Sequence, residues 1–254
     1  MKKYPVIYYF KDDSSNGIDL KYSIRSVVQN FPYEKIYILG DKPKWFLETD
    51  NIMHFPSETP HGFDWTIGWI PFQHMNNMLK LDLDFDEFIL FNDDFFVTKP
   101  IKEFQDYCRN KKDYDQRAAI NRMYHARTRR SLTLTKGDKY FNLHCPMRMK
   151  VSSMREMIDF WKKAKVKDLD FRTLYGNMFI EEYPNLKPVD DFKSSYIRKD
   201  LLDPSLREYY STSSQDFIPS SVSEIAKKIK EMFPNYAPCE KIEKFTTPIK
   251  KRAS

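Results

Sequence analysis

Over the first hundred residues, short apolar runs alternate with apolar positions at helical spacing. VIYYF (6–10) reads as a short buried strand. After it Asp19 is placed to cap a helix whose apolar side is Leu20, Ile24, Val27, Val28 and Phe31. KIYILG (35–40) and NIMHF (51–55) read as a second and a third strand. Trp65, Trp69, Phe72, Met75, Met78 and Leu79 predict a helix over 65–82, with Pro71 in its first turn or kinking it. FDEFILFNDDFF (85–96) is a strongly apolar strand that ends on acids. Strands separated by helices imply an α/β fold with a mostly parallel sheet and helices on both faces.

Beyond Pro100 the pattern loosens. IKEFQDYC (101–108) reads as a short helix, and a strand is expected around Tyr140 to Leu143. A helix follows, with Ser153 and Glu156 as a capping box and Met154, Met157, Ile158 and Trp161 on one face. FRTLYGN (171–177) reads as a loop. Residues 203–221, rich in Ser and Pro, read as a linker or surface loop. The C-terminal extension is an amphipathic helix, capped by Ser221 and Glu224, with Val222, Ile225, Ala226, Ile229, Met232 and Phe233 as a stripe that packs on the core. The expected division is a main domain over 1–202, the linker over 203–221, and the helix with a basic tail over 222–254.

Composition narrows the chemistry. With six glycines and five histidines, no GxGxxG, GxxxxGK[ST] or HExxH can be written, which disfavours dinucleotide, P-loop and zinc-protease readings. No run of about 18 apolar residues occurs, so no membrane span is expected, and charge follows the N-terminal apolar run too soon for a signal peptide. Three scattered cysteines and the absence of a glycosylation sequon fit a cytoplasmic protein. The net charge of +6 is uneven: Arg122, Arg127, Arg129, Arg130 and Lys136 lie in one acid-free run, and such a patch draws polyanions, nucleotide phosphates or nucleic acid. A solvated face accounts for the run equally well.

The informative segment is FILFNDDFF (88–96). In an open parallel sheet, ligands collect at the carboxyl ends of the strands, so Asn92, Asp93 and Asp94 are delivered to the mouth of a site. Two adjacent carboxylates and an amide suit a divalent ion, Mn or Mg, which would hold a diphosphate. His144, flanked by Asn142, Cys145 and Pro146, can complete a metal shell or act as a base. Asp190 and Asp191 form a second acidic pair, of which one can serve as general base towards an acceptor hydroxyl. Arg172 can clamp phosphate. His74 can face an acceptor or simply occupy an exposed helix position.

FILFNDDFFVTKPI together with LKYSIRSVVQNFPYEKIYILGDKPKW (20–45) resembles the glycosyltransferase-like family that includes the Stealth capsular sugar-phosphate transferases and, more closely, a set of phage-encoded glycosyltransferases. The shared blocks stand here as Tyr22 to Ser26, Ile36 to Pro43, Asn92 to Phe96 and His144 to Met147, and the likeness spans about residues 5 to 180. It implies a GT-A-like fold with a nucleotide sugar lying across the top of the sheet. By position it implies Asp94 as metal ligand, Asp93 on the donor ribose or sugar, and Asn92 orienting them. Phe10, Lys11 and Asp12 would flank the nucleotide, Asp41 would hydrogen-bond its base, and Arg25 would join the donor site. Stealth proteins open with a Y-T-W-V-D-G-type block where this chain has YYFKDDSSNG, which favours simple glycosyl transfer.

These readings combine into an expected metal-dependent transferase that moves a sugar from a nucleotide sugar to a hydroxyl. The phage-like motifs and the basic run, with Arg122, Arg127, Arg129 and Arg130 on phosphates, point to a hydroxymethylated base in phage DNA as acceptor, in the host cytoplasm. The rivals are a Stealth-like sugar-1-phosphate transferase of surface polysaccharide synthesis and a DNA- or glycan-binding module without catalysis.

Overall fold

In chain order the elements are β1 (Tyr4–Phe10), α1 (Ile18–Asn30), β2 (Tyr33–Gly40), β3 (Ile52–Pro56), α2 (Trp69–Met78), β4 (Glu87–Asn92), β5 (Phe95–Val97), β6 (Tyr107–Asn110), α3 (Arg122–Thr135), β7 (Lys139–Tyr140) and β8 (Met147–Lys150). They continue with α4 (Val151–Ala164), α5 (Phe171–Met178), β9 (Lys187–Pro188), β10 (Tyr209–Ser211) and α6 (Glu224–Met232). This is a computed structural model, and it describes residues 1–12, 15–57, 69–110, 122–166, 168–193, 203–218 and 220–241.

The main sheet has the order β3-β2-β1-β4-β8, parallel throughout except for β8, which runs antiparallel to β4. Strand alternation divides its side chains between two cores. Val6, Tyr8 and Phe10 of β1 with Ile89 and Phe91 of β4 pack against Leu20, Ile24 and Val27 of α1. Ile7, Phe88 and Leu90 point the other way, into a core shared with Phe72 of α2, Trp161 of α4 and Leu174 of α5. Phe72 and Trp161 meet with ring centroids 4.7 Å apart. Each large side chain buried in this way contributes roughly 1.5–3 kcal/mol relative to exposure. The architecture is therefore the expected α/β one, with helices on both faces of a mostly parallel sheet.

Several local expectations are corrected. Gly17, in the left-handed region with φ 67°, is the N-cap of α1. Asp19 lies inside the first turn, fully buried, with Oδ1 accepting from Ser15 Oγ and Leu20 N–H. The run 85–96 is two strands, because the Asp93–Asp94 turn sends β5 away from the main sheet to pair with β10. Residues 101–108 form no helix: Tyr107 and Cys108 belong to β6, paired between β7 and β9. Lys150 precedes α4 as its N-cap, and Ser153 is already helical and bonded to Glu182. FRTLYGN is the helix α5, capped by the Asp170 side chain on Thr173 N–H. The helix expected over 65–82 is α2, Trp69–Met78, with Pro71 in its first turn; Trp65 lies outside the described residues.

The stretch 203–221, expected as a linker or surface loop, carries β10 and buries Tyr209, Tyr210 and Phe217. Ser223, not Ser221, caps α6 by accepting from Ala226 N–H. Ala226, Ile229 and Phe233 pack with Phe96 and Phe217, as the stripe predicts, but Val222 is 94% exposed and lies outside it. Cys108, Cys145 and Cys239 are free and buried. Among the described residues, no helix is long and apolar enough to cross a membrane.

Candidate active site

Strand order reverses between β1 and β4, and the carboxyl ends of those neighbours open the crevice in which α/β sheets bind ligands. Tyr9 of β1 stands in register with Asn92 of β4, and Phe10 with Gly40 of β2. Gly40 is required there: at φ 120° a Cβ would lie 2.0 Å from the Phe10 carbonyl oxygen. That close approach lets Asp41 N–H donate to Phe10 O at 3.0 Å, while Asp12 N–H donates to Asp41 Oδ2 at 2.8 Å. Phe10, Lys11, Asp12, Asp41, Asn92, Asp93 and Asp94 therefore share one edge of the sheet. Lys11, Asp12 and Asp41 are exposed on it, whereas the Phe10 ring is core, so only its backbone faces the crevice.

Asn92 is locked. Its Oδ1 accepts from Tyr9 Oη and from Arg172 Nη2, both at 2.7 Å. Arg172 is buried, donates Nη1 to Cys145 O at 2.9 Å and lies over the Phe95 ring at 5.2 Å. The expected phosphate clamp is thus corrected: the guanidinium is engaged with protein and fixes the end of β4. Burial pushes the Tyr9 hydroxyl up to about 12, so it stays protonated as the donor in this cluster.

Asp94 follows on the turn. Its Oδ2 accepts from Lys193 Nζ at 2.9 Å and from Ser211 Oγ at 3.2 Å, and its carbonyl accepts from Thr212 N–H. Two residues before Lys193, Asp191 accepts at Oδ1 from His144 Nδ1 at 2.9 Å and from the N–H groups of Phe192 and Lys193 at 2.7 and 2.9 Å. Arg109 faces its Oδ2 at 3.5 Å, and Arg207 donates to its carbonyl at 2.6 Å. Burial alone would raise the Asp191 carboxyl; the hydrogen bond and charge of His144, the Lys193 N–H and Arg109 outweigh it and hold the group below its ordinary range. A buried carboxylate so saturated is a poor general base. The contact the structure shows is instead between Asp191 Oδ1 and His144 Nδ1, which fixes the orientation of the imidazole ring. His144 itself sits in the left-handed region at φ 51°, a costly conformation for a residue with a Cβ.

Whether this donor set suits a divalent ion can be tested on its chemistry. Asp94 Oδ2 already has an ammonium and a hydroxyl, His144 Nδ1 already has Asp191, and among the described residues no three His, Cys, Asp or Glu side chains converge. Asp94 and His144 as placed do not form a metal shell.

Three expectations fall elsewhere in the molecule. Arg25 is not at the crevice: it is buried against Glu240, with Nε and Nη2 on Oε1 and Oε2 at 2.6 and 2.7 Å, between the rings of Tyr22 and Tyr236. Its helix face is turned towards the C-terminal segment. Arg127 is likewise buried, with Nε 2.5 Å from Asp168 Oδ1, because α3 turns this face to α5, where Thr128 and Ser131 bond Asp170. Arg130 shares Asp168 at 3.3 Å, Arg129 is exposed, and the Arg122 side chain lies outside the described residues. His74 is buried too, stacked on Tyr9 and bonded through Nδ1 to Ser57, and burial pushes it down to about 4. Sequence reasoning missed Lys193, Ser211 and Tyr9, which have no local motif; Ser211 lies inside the supposed linker.

The superposition on solved structures settles the architecture. A galactosyltransferase, LgtC, solved with donor and acceptor sugar analogues, matches with a TM-score of 0.55 at 11% identity, over 91% of this chain and 96% of that one. The fold is that of the GT-A glycosyltransferases. The glycosyltransferase GlyE of Streptococcus pneumoniae TIGR4 matches with a TM-score of 0.50 at 13% identity, over 91% of this chain and 60% of that one. No protein-family model matches the sequence, and no curated protein matches it.

Proposed function

We propose that the protein is a glycosyltransferase that moves a sugar from a nucleoside diphosphate sugar to a hydroxyl. The observation that carries this reading is the meeting of Asp94, Lys193 and the His144–Asp191 couple at the β1/β4 crevice of a GT-A fold. Lys11, Asp12 and Asp41, exposed along the same edge, flank the nucleotide. Asp93 and Asp94 face the sugar and the diphosphate, with Asn92 and Arg172 holding their turn. His144, oriented by Asp191, takes the proton of the acceptor hydroxyl, in the division of roles by which a carboxylate fixes an imidazole base.

The acceptor is specified here only as a hydroxyl. A hydroxymethylated DNA base drew its support from the phage-like motifs and from four arginines; of these Arg127 is buried on Asp168, Arg130 is exposed but shares that carboxylate, and Arg129 is exposed. The test is incubation of the protein with a panel of nucleotide sugars, with mass spectrometry of a candidate acceptor set and measurement of released nucleoside diphosphate. Turnover of one donor supports the reading; no binding and no release with any donor overturns it.

A further inference from the structure

We propose that Lys193 is a built-in cation for the donor diphosphate, so that transfer at this site proceeds without a divalent ion. The inference rests on the glycosyltransferase reading above and concerns what neutralises the leaving group. A divalent ion needs several oxygen or nitrogen ligands that converge, and among the described residues no three His, Cys, Asp or Glu side chains do so. Asp94 instead has its Oδ2 held by the Lys193 ammonium at 2.9 Å and the Ser211 hydroxyl at 3.2 Å, in a setting where the Asp94 and Lys193 side chains are 13% and 20% exposed. The other charges nearby are of both signs: Arg109 and Arg207 attend Asp191 and Arg172 is joined to Asn92, while Asp12, Asp41 and Asp93 stand on the same edge, so Lys193 is the ammonium bonded directly to the acidic turn.

The ammonium is well supported. Lys193 N–H is anchored on Asp191 Oδ1, its backbone is bridged to Ser211, and β10, which contains Ser211, is paired to β5 directly after the acidic turn. One cation is thus tied to the acidic turn, to the His144–Asp191 couple and to the neighbouring strand. An ammonium carries three donors, and Asp94 is its side-chain partner among the described residues. Phosphate oxygens arriving at the turn can take the others as charge-assisted hydrogen bonds without displacing Asp94.

In the reaction the bond between sugar C1 and the diphosphate oxygen breaks with its electron pair on the diphosphate, which gains one negative charge. A C1–O bond forms to the acceptor hydroxyl, and the hydroxyl proton passes to His144. Lys193 keeps its proton throughout and acts by charge, as a preorganised donor aimed at the group on which charge develops.

The experiment is calorimetric titration of the full chain with UDP, GDP, ADP and dTDP, each in EDTA and in Mn2+, paired with release of nucleoside diphosphate from the corresponding sugar donors. The expected result is one nucleotide that binds in EDTA within about threefold of its affinity in Mn2+, with donor turnover undiminished by EDTA. Lys193→Ala should weaken binding in EDTA at least tenfold and lower turnover roughly a hundredfold, while Lys193→Arg retains most of both. Binding or turnover by the unaltered protein that requires Mn2+ overturns the proposal and leaves the glycosyltransferase reading standing, whether or not any variant folds. Absence of nucleotide binding in both conditions overturns the two together. Full activity of folded Lys193→Ala in EDTA overturns the role of Lys193 alone.

Discussion

Two carboxylate–cation pairs in this chain resemble each other in residue type and differ in what they leave available. Between α1 and the C-terminal segment, Arg25 puts two nitrogens on the two oxygens of Glu240, a third on the Phe233 carbonyl, and both guanidinium faces against tyrosine rings. At the end of β4, Asp94 is met by one ammonium and one hydroxyl on a single oxygen. The first pair is closed, with its donors directed at protein; the second is half-engaged and stands at a crevice. A closed pair fastens one segment to another, whereas a half-engaged pair can bind something that arrives.

The largest effects should separate the two pairs most clearly. Asp94→Asn is expected to lower donor turnover about a thousandfold, by loosening the cation that meets the developing charge, with little change in melting temperature. Arg25→Ala should do the reverse: turnover per folded molecule holds, while loss of one partner of a buried ion pair costs roughly 3–5 kcal/mol. In a chain of this length that lowers the melting temperature on the order of 10 °C. Steady-state turnover and thermal melts of both variants check this. Equal melting shifts with equal activity would erase the distinction.

Next in size is the proton-transfer couple. His144→Gln is expected to cut kcat about a hundredfold, at the lower end of general-base contributions. Asp191→Asn should cut it less and also move the acid limb of the pH–rate profile, since the ring it orients would lose its carboxylate. A Asp191→Asn variant with a normal profile and a lowered melting temperature would assign that carboxylate to structure only.

The same contrast explains what was legible before the structure. The sheet and its two helical layers follow from the short apolar runs of β1, β2 and β4 and the helical spacing in α1 and α4, where burial on both faces of a strand or one face of a helix dictates residue type. The acidic turn is legible because a fully apolar strand runs straight into Asn92, Asp93 and Asp94. The small partners β6, β9 and β10 are not, and of the strand expected around Tyr140 to Leu143 only Tyr140 falls in β7, since strands of two to four residues have too little period and pair with segments far away in sequence. For that reason the first two residues of β6 read as the end of a helix and β10 as a linker, and Lys193 and Ser211 stay hidden, while Asp191 is legible as an acid but not as the partner of His144. Arg25, Arg127 and Arg172 show the complementary error: an arginine on an exposed-looking position is read as a ligand group when its carboxylate or carbonyl partner comes from another element.

A smaller effect is expected from pH, and two carboxylates should give opposite signs. Burial pushes Asp106 up to about 6 despite Arg148 beside it. Its folded form holds a proton that the unfolded chain has lost above about pH 4, so Asp106 makes stability fall as pH rises from about 4 to about 6. Asp191, held below its ordinary range, contributes stability that is present above about pH 4 and is lost as pH falls through its folded value. Melting curves from pH 3 to 7 should therefore show Asp106→Asn flattening the upper part of this range and Asp191→Asn the lower.

The smallest effect concerns the arginine run, where the distinction between closed and available cations applies once more. If duplex DNA binds at all, each phosphate contact steepens the logarithmic salt dependence of affinity by about 0.9. Arg127, buried on Asp168, should contribute nothing to that slope, so Arg127→Ala leaves it unchanged and lowers the melting temperature. Arg129, exposed, should contribute about one contact, and Arg130, half-exposed and shared with Asp168, less than one. Fluorescence anisotropy at several salt concentrations measures this directly. A slope near −4 that Arg127→Ala flattens by one would show that the Arg127–Asp168 pair opens for nucleic acid, and would restore DNA as the acceptor; a slope of about −2 or shallower, indifferent to Arg127, keeps that arginine in the seam between α3 and the residues leading into α5.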